Sequence, residues 1–267
     1  HTIFAIIAVL VELPFTGKLI WLAEKIVPVL PEENQQMEDR SLVYMTQLTK
    51  VPAPVALRQT QREITRMGHI AADNLQRALD CFFHYNSAKA ASVRSHEESV
   101  NILNHLIADA MVDLRSLDLS PENMRRVSMM TIAVTDIERL SDHAENIVEY
   151  IEQMNAKKAE MSDAARKELI DMSKDAMDAV YMALDIFEKD DYNKLDQIEI
   201  LEQHVDDHEK DLINNHIERI MNSLCNPLSA VIFSDLVTDL ERCSDHAINL
   251  AYALKERPSE MDAPKII

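Results

Sequence analysis

Carboxylates recur at helical spacing in this chain. Glu138 and Asp142 stand four residues apart, as do Glu241 and Asp245, and Glu202 and Asp206 form a third pair. On a helix, residues i and i+4 share a face, so each pair can direct two carboxylates at one cation. Four carboxylates from two neighbouring helices would make an oxygen-rich, strongly anionic site for a divalent or trivalent cation. The competing reading is a solvated acidic face, which the same spacing describes equally well. The neighbours on each stripe favour the cation. Val127, Thr131 and Val134 precede the first pair, and Val237, Ile248 and Tyr252 accompany the second. Acids on a partly apolar strip need a partner. Glu199 and Glu209 extend the third pair, and Glu97 matches Glu202 in the first half of the chain, but Asn101 stands where Asp206 stands in the second.

The first two pairs lie inside a duplication. Residues 136–144 read Asp-Ile-Glu-Arg-Leu-Ser-Asp-His-Ala and residues 239–247 read Asp-Leu-Glu-Arg-Cys-Ser-Asp-His-Ala, identical at seven of nine positions. His143 and His246 follow the second Asp and fall between the acidic stripe and the apolar seam, which suits a structural imidazole better than a ligand. His204 and His208 share a face nearer their helix's core side and are not assigned as ligands. No histidine has Glu three residues before it, so the Glu-x-x-His signature of di-iron carboxylate bundles is missing. Nucleophile elbows, phosphate-cradling glycine loops and zincin motifs are missing too, and a non-catalytic role is expected.

The elements that must position these residues are helices. Two glycines in 267 residues and 5% aromatics leave little material for hairpins, so the chain reads as all-α. A formal charge of −19 argues against nucleic acid or an anionic membrane surface as a direct partner. Cys81, Cys225 and Cys243 are odd in number and widely spaced, which fits a reducing compartment rather than a disulfide framework.

Residues 1–30 form an apolar helical segment near membrane-spanning length, with Glu12 and Pro14 awkward in mid-span. The absence of an initiator Met reads as a fragment or processed form. Residues 31–55 read as a linker, closed by Val51-Pro52-Ala53-Pro54. Six helices then follow, over about 59–85, 88–114, 121–153, 163–188, 192–224 and 227–257, grouped as three-helix bundles over 56–156 and 162–257. Ser120-Pro121, Ser162 and Asn226-Pro227 mark helix starts. Met67, Ala71, Ala78, Leu79 and Phe82 recur as Met172, Ala176, Ala183, Leu184 and Phe187 at a constant offset of 105, so each trio is one structural unit. On the third helix Ile137, Leu140, Ala144, Ile147 and Ile151 form the seam, which leaves the carboxylates outside their own bundle's core.

Two three-helix bundles, each ending in Asp-x-Glu-Arg-x-x-Asp-His-Ala with Asn146 or Asn249 just beyond, resemble the PhoU family of phosphate-transport regulators over about residues 56–256. The resemblance implies multinuclear metal clusters, of iron or sometimes zinc, on the bundle surface. Carried over by position, the ligands are Glu138, Asp142 and Glu97 in the first repeat, and Glu202, Asp206, Glu241 and Asp245 in the second. His1-Thr2-Ile3-Phe4 and Leu13-Pro14-Phe15 further resemble the last membrane segment of bacterial sodium-dependent phosphate cotransporters with a PhoU-like tail. That implies a parent in the cell membrane with its bundles in the cytoplasm, where they couple metal or phosphate status to the transport core. The first alternative is a stand-alone PhoU-type regulator that contacts a phosphate transporter and a sensor kinase, and the second, from another class, is a carboxylate-bundle metalloenzyme; a homo-oligomer is allowed.

Overall fold

A computed structural model describes residues 39–45 and 47–255. The apolar segment over 1–30 lies outside them. Six long helices account for nearly all of the rest: α1 (Ala53–Phe83), α2 (Ser87–Arg115), α3 (Pro121–Lys157), α4 (Asp163–Lys189), α5 (Leu195–Met221) and α6 (Pro227–Tyr252). Short polar side chains start four of them. Asn86, Ser120, Ser162 and Asn226 each accept a hydrogen bond from a backbone N–H of the first turn, and Pro121 and Pro227 follow two of these caps. Helix ends that would ordinarily take glycine use Lys158, Asp190 and Ser223 in the left-handed region instead, at φ of 51, 55 and 56°. Burial follows the helical period. Ile64, Met67, Ala71, Leu75, Ala78, Leu79 and Phe82 of α1 and the α3 seam are all buried.

Helices α1–α3 form one bundle and α4–α6 the other; α1 and α3 of the first pack on α4 and α6 of the second. The buried apolar residues of both bundles form a single continuous cluster. Gly68 marks the close crossing of α1 and α4, where a Cβ would stand 2.3 Å from Leu184 Cδ2 and 3.3 Å from Ile137 Cδ1. The two crossing helices also cap one another. Gln61 Nε2 donates to the Phe187 carbonyl at the end of α4 (2.6 Å), and Arg166, at Gln61's counterpart position, donates to the Phe83 carbonyl at the end of α1 (2.8 Å). Each uses a free C-terminal carbonyl of its neighbour.

Ahead of α1, part of the stretch read as a linker lies along the first bundle. The Val43 and Tyr44 backbone N–H groups donate to Glu63 Oε2 at 2.8 and 2.5 Å. Arg66 ties the same carboxylate to the Ser41 carbonyl, and Arg40 reaches α2 at Glu98 (2.6 Å) and Ser99 (3.2 Å). Met45 and Leu48 are buried, and a 3-10 turn over Leu48–Lys50 rests on α1 and α2. We call residues 39–50 the strap.

Candidate functional site

The expected ligands sit as two acidic strips, one on α2 and α3 and one on α5 and α6. In the second repeat Glu241 is partly buried while Asp245 is exposed. Desolvation, and then repulsion from Asp245, Glu209 and Asp206, raise the Glu241 carboxyl to about 7. Desolvation likewise raises Glu202, followed by repulsion from Asp206, Asp245 and Glu199. The α5 and α6 carboxylates therefore feel one another across the helix pair. Among the described residues none of Glu202, Asp206, Glu241 and Asp245 has an ion-pair partner; Lys210 and Arg242 oppose the repulsion only from a distance.

The first repeat is built differently. Arg139 pairs with Asp142 at 3.3 Å and approaches Glu138 at 4.0 Å. The Asn101 amide donates to Glu97, and Arg94 pairs with Glu152 (2.6 Å) and approaches Glu145 (3.9 Å). Desolvation and Glu145 still push Glu97 upward, with Asn101 opposing; desolvation and Asp142 push Glu138 upward, with Arg139 and His105 opposing. The protein's own cations and amide thus offset part of the repulsion there. Asn101 contributes by occupying Glu97 instead of adding a fourth acid.

Among the described residues no three His, Cys, Asp or Glu side chains gather around a common point as a metal cage. The donor chemistry of the second strip nevertheless suits a hard cation: Glu202, Asp206, Glu241 and Asp245 offer only carboxylate oxygens, and the nearby Lys210 and Arg242 pair with none of them among the described residues. His208 is engaged elsewhere, 3.3 Å from Asp175.

The first Asp of each nine-residue stretch does work that the sequence reading missed. His143 Nδ1 donates to Asp239 at 3.0 Å and His246 Nδ1 donates to Asp136 at 2.9 Å, so each copy completes the other. The two imidazoles lie with centroids 5.8 Å apart where α3 meets α6. Tyr150 donates to the second oxygen of Asp239 at 2.9 Å. Ala253 occupies the corresponding position of the second copy, and Asp136 Oδ2 is buried without a hydrogen bond. Identity of that Asp in both copies was the available signal.

Fold and strips together define a class: a duplicated all-helical protein that presents carboxylates on the outer face of each repeat. The PhoU domain model matches residues 64–151 and 169–254, one match per repeat, and the chain belongs to that family. It is 23% identical over 189 residues to the phosphate-specific transport system accessory protein PhoU homolog 1 of Thermotoga maritima, covering 70% of this chain and 81% of that protein. The crystal structure of PhoU from Pseudomonas aeruginosa superposes with a TM-score of 0.69 at 20% identity, covering 74% of this chain and 94% of that one. The phosphate transport system regulatory protein PhoU from Streptococcus pneumoniae gives 0.68 at 17%, covering 76% and 95%.

These findings correct one expectation. A parent held in the cell membrane, with its bundles in the cytoplasm, is not upheld. Among the described residues no helix is long and apolar enough to cross a membrane, since every helix carries charges along its outer face. The relatives named above are a PhoU accessory protein, a PhoU and a PhoU regulatory protein. The PhoU regulator alternative fits them better than a cotransporter tail.

Proposed function

We propose that this chain is a PhoU-type regulator of phosphate transport that works through protein contacts and senses a metal ion on its acidic strips. Family membership across both repeats supports the regulatory part. One structural observation carries the metal part: Glu202, Asp206, Glu241 and Asp245 lie on one strip with no ion-pair partner among the described residues, where burial, and then repulsion from Asp245, Glu209 and Asp206, raises the Glu241 carboxyl to about 7. Glu202 and Asp206 from α5, with Glu241 and Asp245 from α6, would hold the ion, and iron or zinc is the expected identity. The bound cation supplies the positive charge that this strip lacks. Ligands drawn from both helices would tie α5 to α6, which would alter the surface offered to a transporter. Glu138, Asp142 and Glu97 form the weaker site, because Arg139 and Asn101 already engage them.

Elemental analysis of the purified full chain tests the metal reading. Metal should co-purify with the wild type and fall by at least half in Glu241→Ala/Asp245→Ala, with helical content unchanged by circular dichroism. Equal metal in both proteins would overturn it. Phosphate uptake in cells lacking the gene tests regulation: its dependence on external phosphate should be lost and return with the wild-type gene, and unchanged dependence would overturn the regulatory reading.

A further inference from the structure

The outer face of α5 does not end with the acidic strip of the second repeat. At about 100° per residue, Glu202, Asp206 and Glu209 are continued on one stripe by Ile213, Ile217 and Ile220. Glu241 feels the repulsion of Glu209 and Asp206, so this stripe faces the α6 side. The two helices run antiparallel, and at their far end the Tyr252 hydroxyl donates to Glu199. Val231 of α6 therefore lies beside the apolar half of the stripe, as Glu241 and Asp245 lie beside the acidic half. Each half spans about three turns.

The apolar half is uncovered. Ile217, Ile220 and Val231 are about half exposed, and Met221 is 79% exposed. Ser223, in the left-handed region, ends α5 with the Leu224 N–H donating to the Arg219 carbonyl at 2.9 Å. Such an end often buries the residue after the turn against the helix, yet Leu224 is 68% exposed. The first repeat lacks this surface. Ile220, Met221 and Val231 correspond to Arg115, Ser116 and Ser128, at offsets of 105 on α5 and 103 on α6. Arg115 donates to the Thr131 hydroxyl at 3.0 Å, a polar bridge from α2 to α3. An apolar surface that the bundle itself needed would recur in both repeats.

The charge around this surface has one sign. Glu218 and Asp235 border the apolar half and have no ion-pair partner among the described residues, whereas Lys210 and Arg219 are taken by Asp207 at 3.4 Å and Glu168 at 2.8 Å. An occupant must then bring bases as well as apolar side chains. We propose that the outer face of α5 and α6 docks an amphipathic helix of a partner protein, apolar over one half and basic over the other, which joins the second repeat as a fourth helix. Its apolar half covers Ile217, Ile220, Met221 and Val231, and its Lys or Arg side chains reach Glu202, Asp206, Glu241 and Asp245. The inference rests on the protein-contact part of the function proposed above and not on its metal part.

The probe is a labelled synthetic peptide of about 22 residues, long enough for six helical turns. One half carries leucines at i, i+3, i+4 and i+7, the other carries lysines at the same spacing, and alanine and glutamine fill the rest. It is titrated against the full chain in chelator by fluorescence anisotropy, and hydrogen exchange maps where it sits. Saturable micromolar binding is expected, with added protection on α5 and α6. Ile220→Arg/Met221→Ser puts the first repeat's residues at two exposed positions, which spares the core, and should weaken binding about tenfold. A peptide of the same composition with leucines and lysines interleaved along its whole length should lose as much, although its charge is unchanged. Absence of saturable binding, equal affinity for the interleaved peptide or of the variant, or protection confined to the first repeat would overturn the proposal. So would a dimer of the unliganded chain, seen in sedimentation, that Ile220→Arg/Met221→Ser dissolves, because the occupant would then be a second copy. Because the titration is run in chelator, its failure leaves metal content and the phosphate dependence of uptake to be decided by their own measurements.

Discussion

At Glu241 the electrostatics have a measurable sign. Its carboxyl titrates near 7 in the folded chain against an ordinary value of 4.5. Between those values the folded chain holds a proton that the unfolded chain has released, so the stability this provides is greatest at low pH and is lost as pH rises to 7. In chelator, Glu241→Gln should therefore raise the melting temperature by about 1–3 °C at pH 8 and leave it unchanged at pH 4, as followed by calorimetry; partial solvation keeps the gain small. Tyr150 provides the opposite kind of test. Its phenol is the second partner of Asp239, and burial next to that carboxylate holds the hydroxyl protonated well above its ordinary range. Tyr150→Phe should cost about 1–2 kcal/mol in urea unfolding, since it leaves Asp239 as Asp136 already is, with one buried oxygen unpaired.

Among the helices, Gly68 is the tightest constraint. Alanine there would gain about 1 kcal/mol of helix propensity, yet its Cβ would run into Leu184 inside a packed crossing. A net loss of about 1–2 kcal/mol is expected for Gly68→Ala by urea unfolding, and a gain would show that α1 and α4 have room to part. The strap is the weakest attachment by comparison. Glu63→Ala should leave the six helices intact while backbone amides of residues 41–45 exchange markedly faster. Helix starts are legible in the sequence, because Ser120, Ser162 and Asn226 cap through neighbours two or three residues away. Strap docking and the crossed Asp–His pairs were not, because their partners lie about 20 residues away in one case and 96 and 110 in the other. The acidic stripes were legible as stripes. What periodicity could not reveal was which of them already had counter-charges, since Arg139 pairs on the first while its counterpart Arg242 does not on the second.

Taken whole, the molecule is two repeats with one core. Buried side chains of α1, α3, α4 and α6 belong to the same cluster, so neither repeat encloses its own apolar surface. Heat should melt residues 39–255 in one transition by calorimetry, and two separated transitions would contradict a shared core. A fragment of residues 162–255 should keep helical far-ultraviolet circular dichroism but lose sharp side-chain resonances, because the faces of α4 and α6 that rest on α1 and α3 are then exposed. The crossed Asp–His pairs add a consequence for concentrated solutions. Each pair joins the first copy of the motif to the second, and nothing in the chemistry requires both copies to come from one chain. Two molecules that open at residues 158–162 and trade halves recover every one of those bonds. A duplication that closes one chain on itself would therefore let two chains close on each other through the same bonds.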